Sequence, residues 1–251
     1  MNTSSIYALD FDGVICDSAV ETAITGWKAA RSIWFDMPVA VPTELIEQFK
    51  LVRPIIETGY EAILAMRLLY QETPITDIYN HYARLTQALL EEAHVSTADL
   101  KQRFGQTRDA WIEADLAEWI HKNPLFTDIA TKLQQLNQHN TWYIVTTKQE
   151  RFVKQILLAN TIDLDDSHIY GLDRNMNKPA VLKMLLNKHP EQDIYFVEDR
   201  LPTLLNVLQD LELEPIKLIF APWGYNTAHD KAVAEQNTRI NLQALDNFLT
   251  F

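Results

Sequence analysis

IYALDFDGVICDS, residues 6–18, is an apolar run that ends on two carboxylates, Asp10 and Asp12, with Gly13 opening a turn behind them. In an extended strand, side chains two residues apart share a face, so this spacing predicts two acids side by side. Like charges so placed repel unless a cation or a proton lies between them. The pattern points to a site that handles phosphate with a hard metal ion. The competing reading is a strand that merely runs into an acidic turn.

A lone strand needs partners, and the second half of the chain offers them. Strands are predicted at 141–147 (TWYIVTT), 168–171 (HIYG), 193–199 (DIYFVED) and 215–221 (PIKLIFA). Helices are predicted between them at 126–138, 149–159, 178–189 and 201–210, with a closing helix at 242–250. Strands separated by single helices imply βαβ units and a parallel sheet. The expected class is therefore α/β, a Rossmann-like parallel sheet flanked by helices. Residues 16–122 follow a different rhythm, with apolar stripes at helical spacing and no alternating β-branched run. Helices are predicted there at 18–35, 42–57, 59–71, 76–93, 97–104 and 106–121, the last two divided at Gly105. This all-helical block reads as an insertion after the first strand. The expected domains are 1–15 plus 123–251 for the core and 16–122 for the insertion.

Composition narrows the function classes. The chain has 251 residues, of which 47% are hydrophobic and 22% charged, values that suit a packed globular protein. A formal net charge of -12 argues against binding nucleic-acid backbone or an anionic membrane surface. A small anionic substrate stays compatible, because a bound cation reverses the field locally. The single cysteine, Cys16, excludes an intrachain disulfide and fits a reducing compartment; its expected role is a packed, inert residue. MNTSS enters the first strand too soon to leave room for a signal peptide, and no apolar run approaches the roughly 20 residues of a membrane span. The seven histidines show no zinc-ligand spacing. A soluble, cytoplasmic protein, monomeric or weakly dimeric, is expected.

Open parallel sheets bind ligands at the carboxyl ends of their strands. Those ends deliver Asp10 and Asp12, then Thr146, Thr147 and Lys148, then Glu198 and Asp199, while Lys178 opens the helix after HIYG. Each has a bland reading: a strand threonine, a solvated first-turn lysine, an acidic turn. Their joint appearance at successive strand ends is harder to dismiss. This ordered set resembles the haloacid dehalogenase superfamily across the whole chain: DFDGV its first motif, YIVTTK its second, NKP its third and YFVED its fourth. The helical block sits where that superfamily inserts a cap.

The resemblance implies roles. Asp10 would be the nucleophile and Asp12 the acid/base; Thr146 and Lys178 would hold the phosphoryl oxygens. Mg2+ would be held by Asp10, the backbone carbonyl of Asp12 and Asp199. Glu198 would be a further metal ligand or, equally, face solvent. Thr147, where several of the superfamily's phosphatases carry asparagine, and Arg200 are expected near the substrate anion, Arg200 reading equally as a surface arginine paired with an acid. Position 203, where many relatives carry a second acid, is threonine, so its metal-ordering role is missing or moved. WGYN at 223–226 is a weaker match to the same superfamily.

The implied activity is Mg2+-dependent hydrolysis of a small phosphorylated metabolite through an aspartyl-phosphate. A phosphomutase using the same intermediate is the nearest alternative. A catalytically weak sensor of a phosphorylated ligand or partner is another, with Trp27, Trp34, Trp111 and Trp119 as an apolar partner surface or, more simply, as core. Specificity would lie in the cap, where Arg31, Arg53, Arg67, Arg84, Arg108, His81 and His94 are candidate contacts.

Overall fold

The structure is a computed structural model that describes residues 5–250; residues 1–4 and 251, the outer ends of the expected core domain, lie outside the described residues. Two compact units divide the chain, one formed by the segments up to Asp17 and from Pro124 onward, the other by Ser18–Asn123.

The first unit is built on a six-stranded sheet: β1 (Ile6–Leu9), β2 (Thr141–Val145), β3 (Ile169–Tyr170), β4 (Ile194–Glu198), β5 (Lys217–Phe220) and β6 (Ile240–Leu242). Their spatial order is β3-β2-β1-β4-β5-β6 and every pairing is parallel. All four residues of β1 are buried, as expected of a central parallel strand covered on both faces. The strand order reverses at β1, so the edge beyond the carboxyl ends of β1 and β4 is where this topology places ligands. Register decides who meets there. Leu9 pairs with Ile144 on one side and Val197 on the other, so Asp10 follows β1 level with Glu198, the last residue of β4.

The second unit is wholly helical among its described residues: α1 (Ala19–Ala30), α2 (Thr43–Val52), α3 (Ala62–Tyr70), α4 (Ile75–Ala93) and α5 (Thr97–His121), with short 3-10 turns. The predicted division at Gly105 is absent. The break falls instead at Asp115, whose backbone leaves helical geometry and whose carboxylate accepts a 2.8 Å bond from Glu118 N–H, starting the helix afresh. Pro54 ends α2 earlier than expected by turning Arg53–Ile55 into a 3-10 segment. Trp27, Trp34, Trp111 and Trp119 are all buried, which removes the apolar partner surface they were considered for. Three of the candidate arginines are also spent internally. Arg53 bonds Ile56 O, Arg67 grips Asp36, and Arg108 forms a two-pronged pair with Glu21 at 2.8 and 2.6 Å.

Helices α6 (Ile129–His139), α7 (Glu150–Ala159), α8 (Lys178–Lys188), α9 (Leu201–Leu208), α10 (Ala228–Gln236) and α11 (Leu245–Thr250) cover the sheet unit. Ile6, Ala8, Tyr143, Val145, Phe196, Leu218 and Phe220 form one apolar core with Val181, Leu185 and Leu204 from α8 and α9. The segment 222–241 holds α10, and the predicted helix 242–250 resolves into the end of β6 followed by α11. A three-residue edge strand is too short to show alternation, which explains its absence from the sequence reading. No helix among the described residues is long and apolar enough to cross a membrane.

Candidate active site

Strand β1 stops at Leu9, so alternation along a strand is not what joins Asp10 to Asp12. Asp10 keeps one strand-like bond, its N–H to Val197 O at 2.9 Å. The chain then bends at Phe11 and turns back on itself. Ile15 and Cys16 both donate to Phe11 O, and Gly13 donates to Cys16 O, each at 2.9 Å. Gly13 adopts φ +91°, a region that side-chain-bearing residues avoid, and a Cβ there would run into the Asp199 carboxylate. Cys16 is fully buried in this turn, as a packed, inert residue should be.

Lysine Nζ atoms tie the acids together. Lys178 Nζ lies 3.1 Å from Asp10 Oδ1 and 2.7 Å from Glu198 Oε2. It gets there as the first residue of α8, whose start is fixed by Asn177 accepting a 2.9 Å bond from Ala180 N–H and by Pro179 in the first turn. Glu198 is fully buried and its other oxygen accepts Arg200 N–H at 3.0 Å, so it does not face solvent. Lys148, also buried, donates to Asp12 Oδ1 at 3.0 Å, while its backbone N–H donates to Thr146 Oγ1 at 3.2 Å. Thr146 is buried and Thr147 half-buried on the same turn. Arg200 is half-buried, with Nη1 3.5 Å from Thr203 Oγ1.

Asp10, Glu198 and Asp199 each bring a carboxylate oxygen to within 4.8 Å of the others, and all three are buried. With Asp12, four carboxylates face two ammonium groups, a surplus of negative charge in a desolvated place. Its cost appears on Asp10. Burial, the largest cause, together with Glu198 and Asp12 outweighs the pull of Lys178, and the carboxyl is raised to about 7. Burial alone would weaken the charge on Lys178, but Asp10 and Glu198 outweigh it and the ammonium is held above its ordinary value. An all-oxygen, acid-rich donor set short of positive charge fits a hard divalent cation such as Mg2+.

The structure brings together Asp10, Asp12, Glu198, Asp199 and Lys178 through the contacts above, with Thr146, Thr147 and Arg200 on the adjoining turns. Two contributions had no assigned role from sequence. Lys148 was visible as the residue following the second strand, but its partner was not. The loop 223–226 was visible as WGYN, but not its contacts. Tyr225 N–H donates to Asp199 Oδ2 at 2.6 Å and Tyr225 Oη donates to Asp17 at 2.8 Å.

Solved structures match the fold over nearly the full chain. A predicted phosphoglycolate phosphatase from Haemophilus somnus aligns with a TM-score of 0.60 at 18% identity, covering 99% of this chain and 96% of its own. A predicted phosphatase from Clostridium acetobutylicum gives 0.58 at 18%, covering 99% and 98%. A haloacid dehalogenase-like family hydrolase from Streptococcus pneumoniae gives 0.53 at 18%, covering 97% and 96%. The fold is that of the haloacid dehalogenase-like hydrolases. No protein-family model and no curated protein matches the sequence, so the likeness is carried by structure. At such identity it establishes the haloacid dehalogenase-like fold and leaves the chemistry to the side chains.

Proposed function

We propose that the chain is a Mg2+-dependent phosphomonoesterase that hydrolyses a small phosphorylated metabolite through an aspartyl-phosphate on Asp10, with Ser18–Asn123 as its cap. The observation that carries this reading is the buried group of Asp10, Glu198 and Asp199 braced by Lys178, with the Asp12–Lys148 pair on the adjoining turn. Phosphoryl transfer needs little from a protein beyond positioning and charge stabilisation, and this group supplies both.

In the proposed cycle an Asp10 oxygen attacks phosphorus and the bond to the ester oxygen breaks, while the Asp12 carboxyl gives its proton to the departing alcohol. Asp12, now ionised, accepts a proton from water as that water attacks the aspartyl-phosphate. The phosphorus–Asp10 bond breaks, restoring the carboxylate and releasing phosphate. Lys178 offsets charge on Asp10 and on the transferring oxygens, and Thr146 offers a hydroxyl to the same group. Asp10, the Asp12 carbonyl and Asp199 would hold Mg2+, with Glu198 at its margin, and the ion would neutralise the charge that otherwise separates phosphate from its nucleophile. Lys148 keeps the Asp12 carboxyl in place between the two half-reactions. The neighbours' descriptions as predicted phosphatases support the same reading.

A panel of phosphate monoesters assayed with and without Mg2+ tests it. Release of inorganic phosphate that requires Mg2+ and disappears in Asp10→Asn is expected. Absence of turnover across a broad panel by well-folded protein would sink the proposal. Accumulation of a sugar bisphosphate instead of free phosphate would convert it to the phosphomutase.

A further inference from the structure

In the proposed site position 203, four residues after Asp199, is threonine, and its hydroxyl lies 3.5 Å from Arg200 Nη1. The loop that follows β5 reaches Asp199. Tyr225 N–H donates to Asp199 Oδ2 at 2.6 Å, a short bond to a charged acceptor. Asn226 Nδ2 donates to the Asp199 backbone carbonyl at 3.2 Å and to Ala221 O at 2.9 Å, closing the loop on itself. Fixing Oδ2 fixes the plane of the carboxylate, and with it the direction of Oδ1.

The same loop clasps the turn after β1. Trp223 Nε1 donates to Val14 O at 3.2 Å, and the indole stacks on Phe248 with ring centroids 5.7 Å apart. Tyr225 Oη reaches Asp17. At Gly224 the backbone comes so close that a Cβ would collide with Gly13 O and the Asp199 Cβ, and would lie 2.7 Å from Asp199 Oδ2. Gly13 and Gly224 therefore pack backbone to backbone against one carboxylate. Neither can carry a side chain without displacing it.

We infer that Trp223–Asn226 is the positioning device for the metal site: it orders Asp199 and locks it to the Asp12–Gly13 turn. This rests on the reading of Asp199 as a Mg2+ ligand. Gly224, Tyr225 through its peptide N–H, and Asn226 are positioning residues that act through Asp199 and the turn. Groups that orient metal ligands typically change metal affinity by about 10- to 100-fold when removed.

Isothermal titration of the protein with MgCl2 alone tests the inference, with Asp199→Asn, Gly224→Ala and Asn226→Ala compared with the parent, and melting in EDTA recorded for each. The parent is expected to bind Mg2+ and Asp199→Asn to lose it. Gly224→Ala and Asn226→Ala should bind about 10- to 100-fold more weakly while still melting cooperatively, and raising Mg2+ should restore their kcat with an unchanged KM for phosphate ester. If Asp199→Asn abolishes binding but Asn226→Ala and any folded Gly224→Ala bind within about twofold of the parent, the inference is wrong and the metal reading stands. Should Gly224→Ala not fold, Asn226→Ala decides alone. If the parent and Asp199→Asn titrate alike, the metal reading itself fails and takes the inference with it.

Discussion

Replacing Lys178 with methionine removes the ammonium that lies between two buried carboxylates and leaves a side chain of similar length. Its Nζ sits 3.1 Å from Asp10 and 2.7 Å from Glu198, and the three side chains are 12%, 8% and 0% exposed, so solvent screens little of the interaction. At an effective dielectric of about 20, each contact is worth about 5–6 kcal/mol of attraction, set against about 3 kcal/mol or more of repulsion between the carboxylates and the desolvation of all three groups. Breaking a buried pair from one side typically costs about 3–5 kcal/mol, because a charge is left without a partner. The cost depends on pH. In the variant the buried Asp10 carboxyl is held still further above its unfolded value, so the folded state binds more protons and stability falls as pH rises through the folded pKa. Asp10 already stands at about 7 with Lys178 present and is higher without it, so the deficit grows as pH rises above about 7 and shrinks toward pH 5.5, where Asp10 is protonated with or without Lys178. Urea unfolding at the two pH values measures this. A loss of about 3–5 kcal/mol at pH 8.5 that falls to half or less at pH 5.5 is expected. A pH-independent loss, or one below about 1 kcal/mol at pH 8.5, would refute the reasoning.

In the proposed site the raised Asp10 pKa would also set how protons compete with Mg2+. Below about pH 7 Mg2+ affinity, read by titration calorimetry, should fall by about tenfold per pH unit, and saturating Mg2+ should move the acid limb of any rate profile to lower pH; affinity that is flat from pH 5.5 to 8 would contradict the assignment. Lys148→Met, which frees the Asp12 carboxyl from its 3.0 Å partner, should lower kcat about 100-fold with little change in Mg2+ affinity, and a kcat within a factor of about three of the parent would remove Lys148 from the mechanism. In the helical unit, Arg108→Ala strands a fully buried Glu21 and should cost about 3–5 kcal/mol by urea unfolding, whereas a change under about 1 kcal/mol would show that Glu21 finds water or a new donor.

The part of the site that was legible in the sequence is the part set by residue type and chain order. Asp10, Asp12, Thr146, Lys178 and Asp199 stand at strand ends or the start of a helix, and the hydrophobic rhythm locates those positions. What was not legible is pairing. Glu198 meets Lys178 because β1 and β4 run in register with Leu9 opposite Val197, and no local pattern encodes that register. Lys148 meets Asp12 across 136 residues of chain. The WGYN loop shows itself as a motif, yet its role rests on two glycines meeting backbone to backbone, one from each end of the chain. The fold failed to read where local signals were weakest: a three-residue edge strand at Ile240–Leu242, and a helix break placed at Gly105 rather than at Asp115, where an acid recaps the helix. The same side chain type that marks the site elsewhere serves in that helix as a cap.

The central claim is that Asp10 carries the phosphoryl group. Acid-quenching the protein during turnover of a radiolabelled phosphate ester with Mg2+, followed by proteolysis and peptide mapping, tests it directly. The account predicts a hydroxylamine-labile label on the peptide that contains Asp10, and none on Asp10→Asn. Turnover with no protein-bound label, or with label on any other residue, would contradict it.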